Sequence, residues 1–295
     1  MTSYSTDGTV GPWALEKLEC LRKYLEAYTT ILRKQKWCTG FVYIDAFAGA
    51  GRALLRPEAG IGSPLFPEIE AIDEDDDTQQ YVDGSPRVAL SIQHPFTKYY
   101  FIEKDAEKVD KLGALRQEFF ASQIEVLHGS ASEELKAIIA RREHNWKKQR
   151  AIALLDPFGM QVDWKTVSAL ADTKAIEVII NFPLGMTIHR RLPSSGRLSS
   201  THRASLDHYF GSPDWFDVVY EKSGGLFGDL PPQKRPDAGE RLVKWYQGRL
   251  KEAFGFSSSA RRIRNRHGTP IYYLIWAGPK KSRRTSSIIF FGRAK

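Results

Sequence analysis

The sequence predicts an α/β fold: a doubly wound, mostly parallel sheet of seven strands with an inserted segment. Three observations predict it. Six short apolar runs alternate with helix-like stretches: FVYID (41–45), KYYFIE (98–103), IEVLHG (124–129), AIALLD (151–156), IEVIINF (176–182) and IYYLIWA (271–277). A chain of 295 residues with 42% hydrophobic content buries a sizeable core, which suits one large α/β domain or a domain plus an insertion. The first run, FVYIDAFAGAG, passes through Asp45 into Gly49 and Gly51, as a strand does when it ends in a tight loop open to a ligand.

The elements follow in order. Residues 14–35 place Leu15, Leu18, Leu21, Leu25, Tyr28, Ile31 and Leu32 at spacings of three and four, an amphipathic helix that covers the sheet. AEKVDKLGALRQEFF, SASEELKAIIARR and DWKTVSALADT supply helices between the later strands. Residues 52–84, rich in Gly, Pro and acid, form a loop insertion. Ser85 and Pro86 then supply the N-cap and first position of a helix, SPRVALSIQ. The acidic run Asp73 to Asp77 reads as a solvated loop without metal-ligand spacing. Residues 183–240 read as a largely irregular insertion with short helices, a lid or substrate surface. IYYLIWA is expected as an antiparallel edge partner of RRIRN. The resulting division is an N-terminal helical segment (1–40), a Rossmann-like core (41–182), the insertion (183–240), and a C-terminal helix, hairpin strands and basic tail (241–295).

Several classes are excluded. No apolar run approaches the roughly 20 residues that span a bilayer, and MTSYSTDGTVGPW lacks the regions of a signal peptide, so a cytoplasmic protein without membrane partners is expected. Cys20 and Cys38, with no CxxC, support neither a disulfide framework nor structural zinc, and the scattered histidines form no HExxH; no metal is expected. The net charge of +8 divides unevenly, −5 over residues 1–180 and +13 over 181–295. Arg261, Arg262, Arg264 and Arg266 form one basic cluster, and Lys280, Lys281, Arg283 and Arg284 another. They read either as a phosphate-neutralising surface for nucleic acid or as a solvated face.

Ligands of open α/β sheets bind beyond the carboxyl ends of the central strands, where strand order reverses. Four strand ends qualify. The first carries Asp45, Gly49 and Gly51; the second ends in Glu103, suited to ribose hydroxyls or simply a strand-end acid. The third ends in Gly129, Ser130 and Ala131, small enough to lie against an adenine, and the fourth in Asp156, Pro157, Phe158 and Gly159. A dinucleotide fingerprint is disfavoured because its third glycine falls on Leu54, and there is no P-loop. The ordered set suits S-adenosylmethionine. LLDPFG resembles the Asp-Pro-Pro-Tyr type motif of amino methyltransferases, with Asp156 accepting from the target amine and Phe158 stacking on its ring; the alternative is a turn after a buried strand.

The series YIDAFAGAGR, DGSPRVALSI, YYFIEKD, LLDPFGMQVDW, IINFPLGM and PIYYLIWAG resembles the three-Cys-motif partner proteins, from about residue 14 to 277. That family's name refers to cysteines of a neighbouring protein. The resemblance implies a class I S-adenosylmethionine-dependent methyltransferase fold and a partner of the radical-enzyme class. By position it assigns Asp45, Phe47, Gly49, Gly51, Glu103, Ser130 and Asp156 to the cofactor. Asp156, Phe158 and Asn181 fall to the substrate, although Asn181 equally suits a backbone-bonding role. The enzyme reading is methylation of an amine on a nucleobase, nucleotide or nucleic acid. Its alternative is a non-catalytic methyltransferase-fold module that binds nucleic acid or a protein partner. A metal-dependent nuclease has the weakest support, since no second strand-end acid lies near Asp156 in sequence.

Overall fold

The computed structural model describes residues 9–10, 13–55, 81–221, 224–225, 228–229, 232–264, 268 and 270–279. A short strand β1 (Thr9–Val10) precedes helix α1 (Trp13–Leu32) and strand β2 (Gly40–Asp45). Strands β3 (Arg52–Leu55) and β4 (Tyr81–Asp83) join β1 in a small separate sheet. The main alternation then runs α2 (Ser85–Leu90), β5 (Lys98–Glu103), α3 (Ala106–Glu118), β6 (Ile124–His128), α4 (Ala131–Ala140), β7 (Gln149–Leu155), α5 (Trp164–Asp172) and β8 (Ile176–Phe182). Helices α6 (Ser200–Phe210) and α7 (Trp215–Val219) follow, with two small ribbons, β9 (Tyr220–Glu221) with β12 (Gln233–Lys234) and β10 (Gly224–Gly225) with β11 (Gly228–Asp229). Helix α8 (Ala238–Phe254), β13 (Phe256–Ser257), β14 (Arg261–Arg264) and β15 (Pro270–Gly278) complete the described chain.

The main sheet has the order β6-β5-β2-β7-β8-β15, with β13 and β14 pairing successively along the outer edge of β15. Seven strand positions result, as the sequence predicts. Strands β6, β5, β2, β7 and β8 are parallel and β15 is antiparallel to β8. IYYLIWA is therefore one position in from the edge, between β8 and RRIR. The chain lays β5 and β6 on one side of β2, then returns to lay β7 and β8 on the other. Order reverses between β2 and β7, and their carboxyl ends mark the ligand crevice.

Both faces of the sheet are covered, which is why its strands are nearly continuous apolar runs. Strand side chains alternate between the two faces. Tyr43, Ile152, Leu154, Ile179, Leu274 and Trp276 meet α1, α2 and α3, where Leu21, Tyr24, Leu25 and Tyr28 of α1 are buried. Ile44, Ala153, Ile180 and Phe182 meet α4, α5 and α8 on the other side. The α1 stripe is narrower than its spacing suggests, because Leu15 and Ile31 are exposed. A buried carboxylate pins α1: Glu177 Oε2 accepts from Tyr24 Oη at 2.6 Å and from Trp276 Nε1 at 3.1 Å.

Residues 183–240 depart from the irregular insertion expected. Leu184, Ile188, Leu206, Phe210 and Trp215 are buried in the same core as α5 and α8. Gly185 permits this packing, since a Cβ there would lie 2.2 Å from the Pro270 carbonyl oxygen. The acidic run at 73–77 lies outside the described residues. Among those residues, no helix is long and apolar enough to cross a membrane.

Candidate active site

Alternation places Asp45, Asp156, Asn181 and Tyr272 on the α1 side of the sheet, continuing the faces of Tyr43, Leu154, Ile179 and Leu274. At the carboxyl edge Asp156 is the hub. Its Oδ1 accepts from Asn181 Nδ2 at 2.7 Å, and its Oδ2 accepts from Lys17 Nζ of α1. Lys17 Nζ also lies 5.9 Å from the centroid of the Tyr272 ring. Asn181 is 7% exposed, and because its amide nitrogen is committed to Asp156, its Oδ1 points elsewhere. Neither that buried oxygen nor Tyr272 Oη has a protein partner among the described residues. Buried polar atoms without partners are costly, and two of those found among the described residues belong to this strand-end cluster. Burial first, and then the Asp156 charge, hold the Tyr272 phenol well above its ordinary value.

The neighbouring loop is organised from within. Asp45 is fully buried; its carboxylate accepts from Phe47 N and Tyr43 Oη, both at 3.2 Å, and hydrogen-bonds the Ser85 side chain. Burial pushes its carboxyl up to about 6 against those hydrogen bonds, and the Asp156 charge adds to the rise. Asp45 thus braces the loop from beneath. Ser85 is the first residue of α2, with Gly84 rather than Ser85 as the N-cap. Gly49 and Gly51 hold φ of +63° and +78°, the left-handed region that favours glycine. A Cβ at Gly49 would meet nothing within 4 Å, so this backbone faces open space.

Glu103 Oε2 accepts from Gly49 N at 2.9 Å, while Oε1 accepts from Lys104 N and Asp105 N at 2.8 and 3.0 Å. It both positions the glycine loop and retains acceptor capacity on Oε2. Ser130 caps α4, accepting from Glu133 N and donating to Glu133 Oε2 at 2.7 Å. Phe47 is half-buried against the α5 side of the core. The open glycine backbone after β2 and the neighbouring acid at the end of β5, which keeps a lone pair, fit the nucleoside end of S-adenosylmethionine.

Phe158 is 84% exposed. It lines an open groove of ≈ 410 Å³ with Gln161, Thr187, Arg191 and Ser205. Of the basic residues singled out in the sequence, Arg261 is paired with Glu16 at 2.6 Å and Arg262 with Glu240 at 3.1 Å. Arg264 donates to the Gly268 carbonyl. Arg266, Lys280, Lys281, Arg283 and Arg284 lie outside the described residues. Lys17, Ser85 and Tyr272 carry geometry that sequence reasoning did not assign to the site; strand alternation offered a signal for Tyr272 only. Among the described residues, no cluster of three or more His, Cys, Asp or Glu suits a metal ion.

No protein-family profile and no curated protein matches the chain. The resemblance to three-Cys-motif partner proteins is thereby corrected, since no family model matches the chain. The radical-enzyme partner is implied by that resemblance alone and is not carried further. Among solved structures, protein LPL1258 from Legionella pneumophila aligns over 97% of this chain and 94% of its own at 11% identity, with a TM-score of 0.46. An rRNA methylase from Streptococcus thermophilus aligns over 89% and 97%, at 11% identity and a TM-score of 0.37. A Listeria monocytogenes protein, provisionally named an S-adenosylmethionine-dependent methyltransferase, aligns over 87% and 98% at 11% and 0.36. These scores carry no argument by themselves. Strand order, the inserted antiparallel β15 and helices on both faces define a Rossmann-like fold of class I methyltransferase type.

Proposed function

We propose that this protein is an S-adenosylmethionine-dependent methyltransferase acting on an amino group of a nucleobase or nucleotide. The observation that carries the reading is Asn181 Oδ1, a buried acceptor with no partner among the described residues, on a side chain oriented by Asp156. A target amine would donate one N–H to this oxygen, which would orient it for the transfer. Bound S-adenosylmethionine supplies an electrophilic methyl group. Positioning then dominates catalysis, because in-line approach is the principal requirement of the transfer. Gly49 and Glu103 receive the nucleoside end of the cofactor, and Phe158 offers its exposed ring to the base. Asn181→Ala is expected to lower methyl transfer about 10²-fold while calorimetric affinity for S-adenosylmethionine is retained. Unchanged turnover would sink the assignment.

One observation favours a second reading, a non-catalytic module. The Lys17 ammonium occupies Asp156, and the cavity bordered by Lys17, Ser85 and Leu154 is only ≈ 10 Å³, about one water. On this reading neither the wild type nor Lys17→Ala turns over any acceptor, while partner binding survives substitution of Gly49 and Glu103.

A further inference from the structure

We infer that the groove between Phe158 and α6 is a nucleotide-phosphate subsite, with Arg191 as its cationic contact to the phosphate, and that the β14 arginines are not part of it. The inference rests on the base-amine reading above and places the rest of that substrate. Between Glu177 and Asp207 the sequence contains four arginines, Arg190, Arg191, Arg197 and Arg203, and no carboxylate. A stretch so biased keeps its positive potential, because no acid within it neutralises a neighbour. Among the described residues, Arg190, Arg191 and Arg197 have no carboxylate partner, whereas Arg261 and Arg262 each have one. Arg203 stacks on the Phe216 ring, 4.4 Å from its centroid.

The groove is built where the substrate must lie. It begins at Phe158, directly after the strand end that carries Asp156, and its far wall is the turn that follows Asn181. Thr187 Oγ1 donates to the Phe158 carbonyl at 3.3 Å and ties the two walls together. Gln161 Oε1 accepts from Phe158 N at 3.1 Å and holds the loop that presents the ring. Arg191 Nη1 donates to Ser205 Oγ at 3.1 Å. That bond fixes the guanidinium at the groove edge and leaves its other donors for an anion. An exposed aromatic beside an anchored, unpaired arginine matches a stacked base and its phosphate.

The test is fluorescence anisotropy with a labelled single-stranded oligonucleotide, titrated from low to high salt without cofactor, with unlabelled nucleoside and nucleoside 5′-monophosphate as competitors. Arg191→Ala is expected to weaken binding and to reduce the slope of log K against log salt by about 0.7, the value for one single-strand phosphate contact. Arg191→Lys should keep the slope, which separates charge from folding. Phe158→Ala should cost roughly 5- to 100-fold in affinity with the slope unchanged. Competition by the monophosphate but not by the nucleoside supports a mononucleotide substrate; competition by neither, with Arg191-dependent binding of the oligonucleotide, supports a polymer. The inference is overturned if no nucleotide probe binds, or if the slope survives Arg191→Ala and falls in an Arg261→Ala, Arg262→Ala double variant. Arg191-dependent binding without methyl transfer would uphold the subsite and count against the enzyme reading; methyl transfer to an acceptor whose binding ignores Arg191 would do the reverse.

Discussion

Asp45 and Asp156 sit at adjacent strand ends and share one electrostatic neighbourhood, yet they are held differently. Asp156 is neutralised by Lys17 and bonded to Asn181, whereas Asp45 is sealed among neutral donors. With a folded value of about 6 against an ordinary 3.8, Asp45 binds more protons folded than unfolded across that interval. Its contribution to stability is therefore fully present below pH 4 and is lost as pH rises to about 6. The loss should amount to about 3 kcal/mol. Denaturant melts of wild type and Asp45→Asn between pH 4 and 7 test this: the difference between them should carry the slope and flatten above pH 6. A difference independent of pH would contradict it. At this scale much was legible in the sequence. Asp45, Glu103, Asp156 and Asn181 each lie at or next to a strand end, and alternation alone sends all four to one face. Tyr272 obeys the same alternation but sits at the start of an antiparallel strand, where nothing local announces it.

Among elements, α1 does the most to shape the site. Its apolar stripe was readable from spacing, but the role of Lys17 was not, because a lysine in the first turns of an amphipathic helix looks like any solvated charge. Only the docking of α1 over Asp156 gives it meaning. That docking is held partly by Glu177, 2% exposed, which receives Tyr24 and Trp276. Glu177→Ala removes the acceptor that Tyr24 and Trp276 share and should cost about 2–4 kcal/mol, while Glu177→Gln, which keeps an acceptor oxygen, should cost under about 1 kcal/mol. Chemical denaturation compares the two directly; equal losses would show that the hydrogen bonds are not what holds α1. Helix α2 illustrates a second limit. Ser85 looked like an N-cap, but Gly84 takes that position because its N–H bonds the Gly51 carbonyl at 2.9 Å, which frees Ser85 for Asp45. The 183–240 segment misled through its Gly and Pro content, although Leu206, Tyr209 and Phe210 of α6 are buried at helical spacing.

For the whole molecule, the alternation of apolar runs and helices was enough to read the doubly wound sheet, and strand order reverses between β2 and β7, the point at which open α/β sheets bind their ligands. The sequence located the excess positive charge in the C-terminal third but not which of its charges are paired. The basic C-terminal third contains arginines paired across the fold with Glu16 and Glu240, which no sequence window brings together. Of its other arginines, Arg191 lines the groove beside Phe158. The central claim is that the β2 loop and Glu103 receive an adenosyl cofactor at this edge of the sheet. Calorimetric titration with S-adenosylmethionine, with NAD as the control ligand and Glu103→Ala as the variant, tests it most directly. The account predicts saturable binding of S-adenosylmethionine that Glu103→Ala weakens by tenfold or more, roughly one charge-assisted hydrogen bond, and no binding of NAD. Folded wild-type protein that fails to bind S-adenosylmethionine, or binds it equally well without the Glu103 carboxylate, would contradict it.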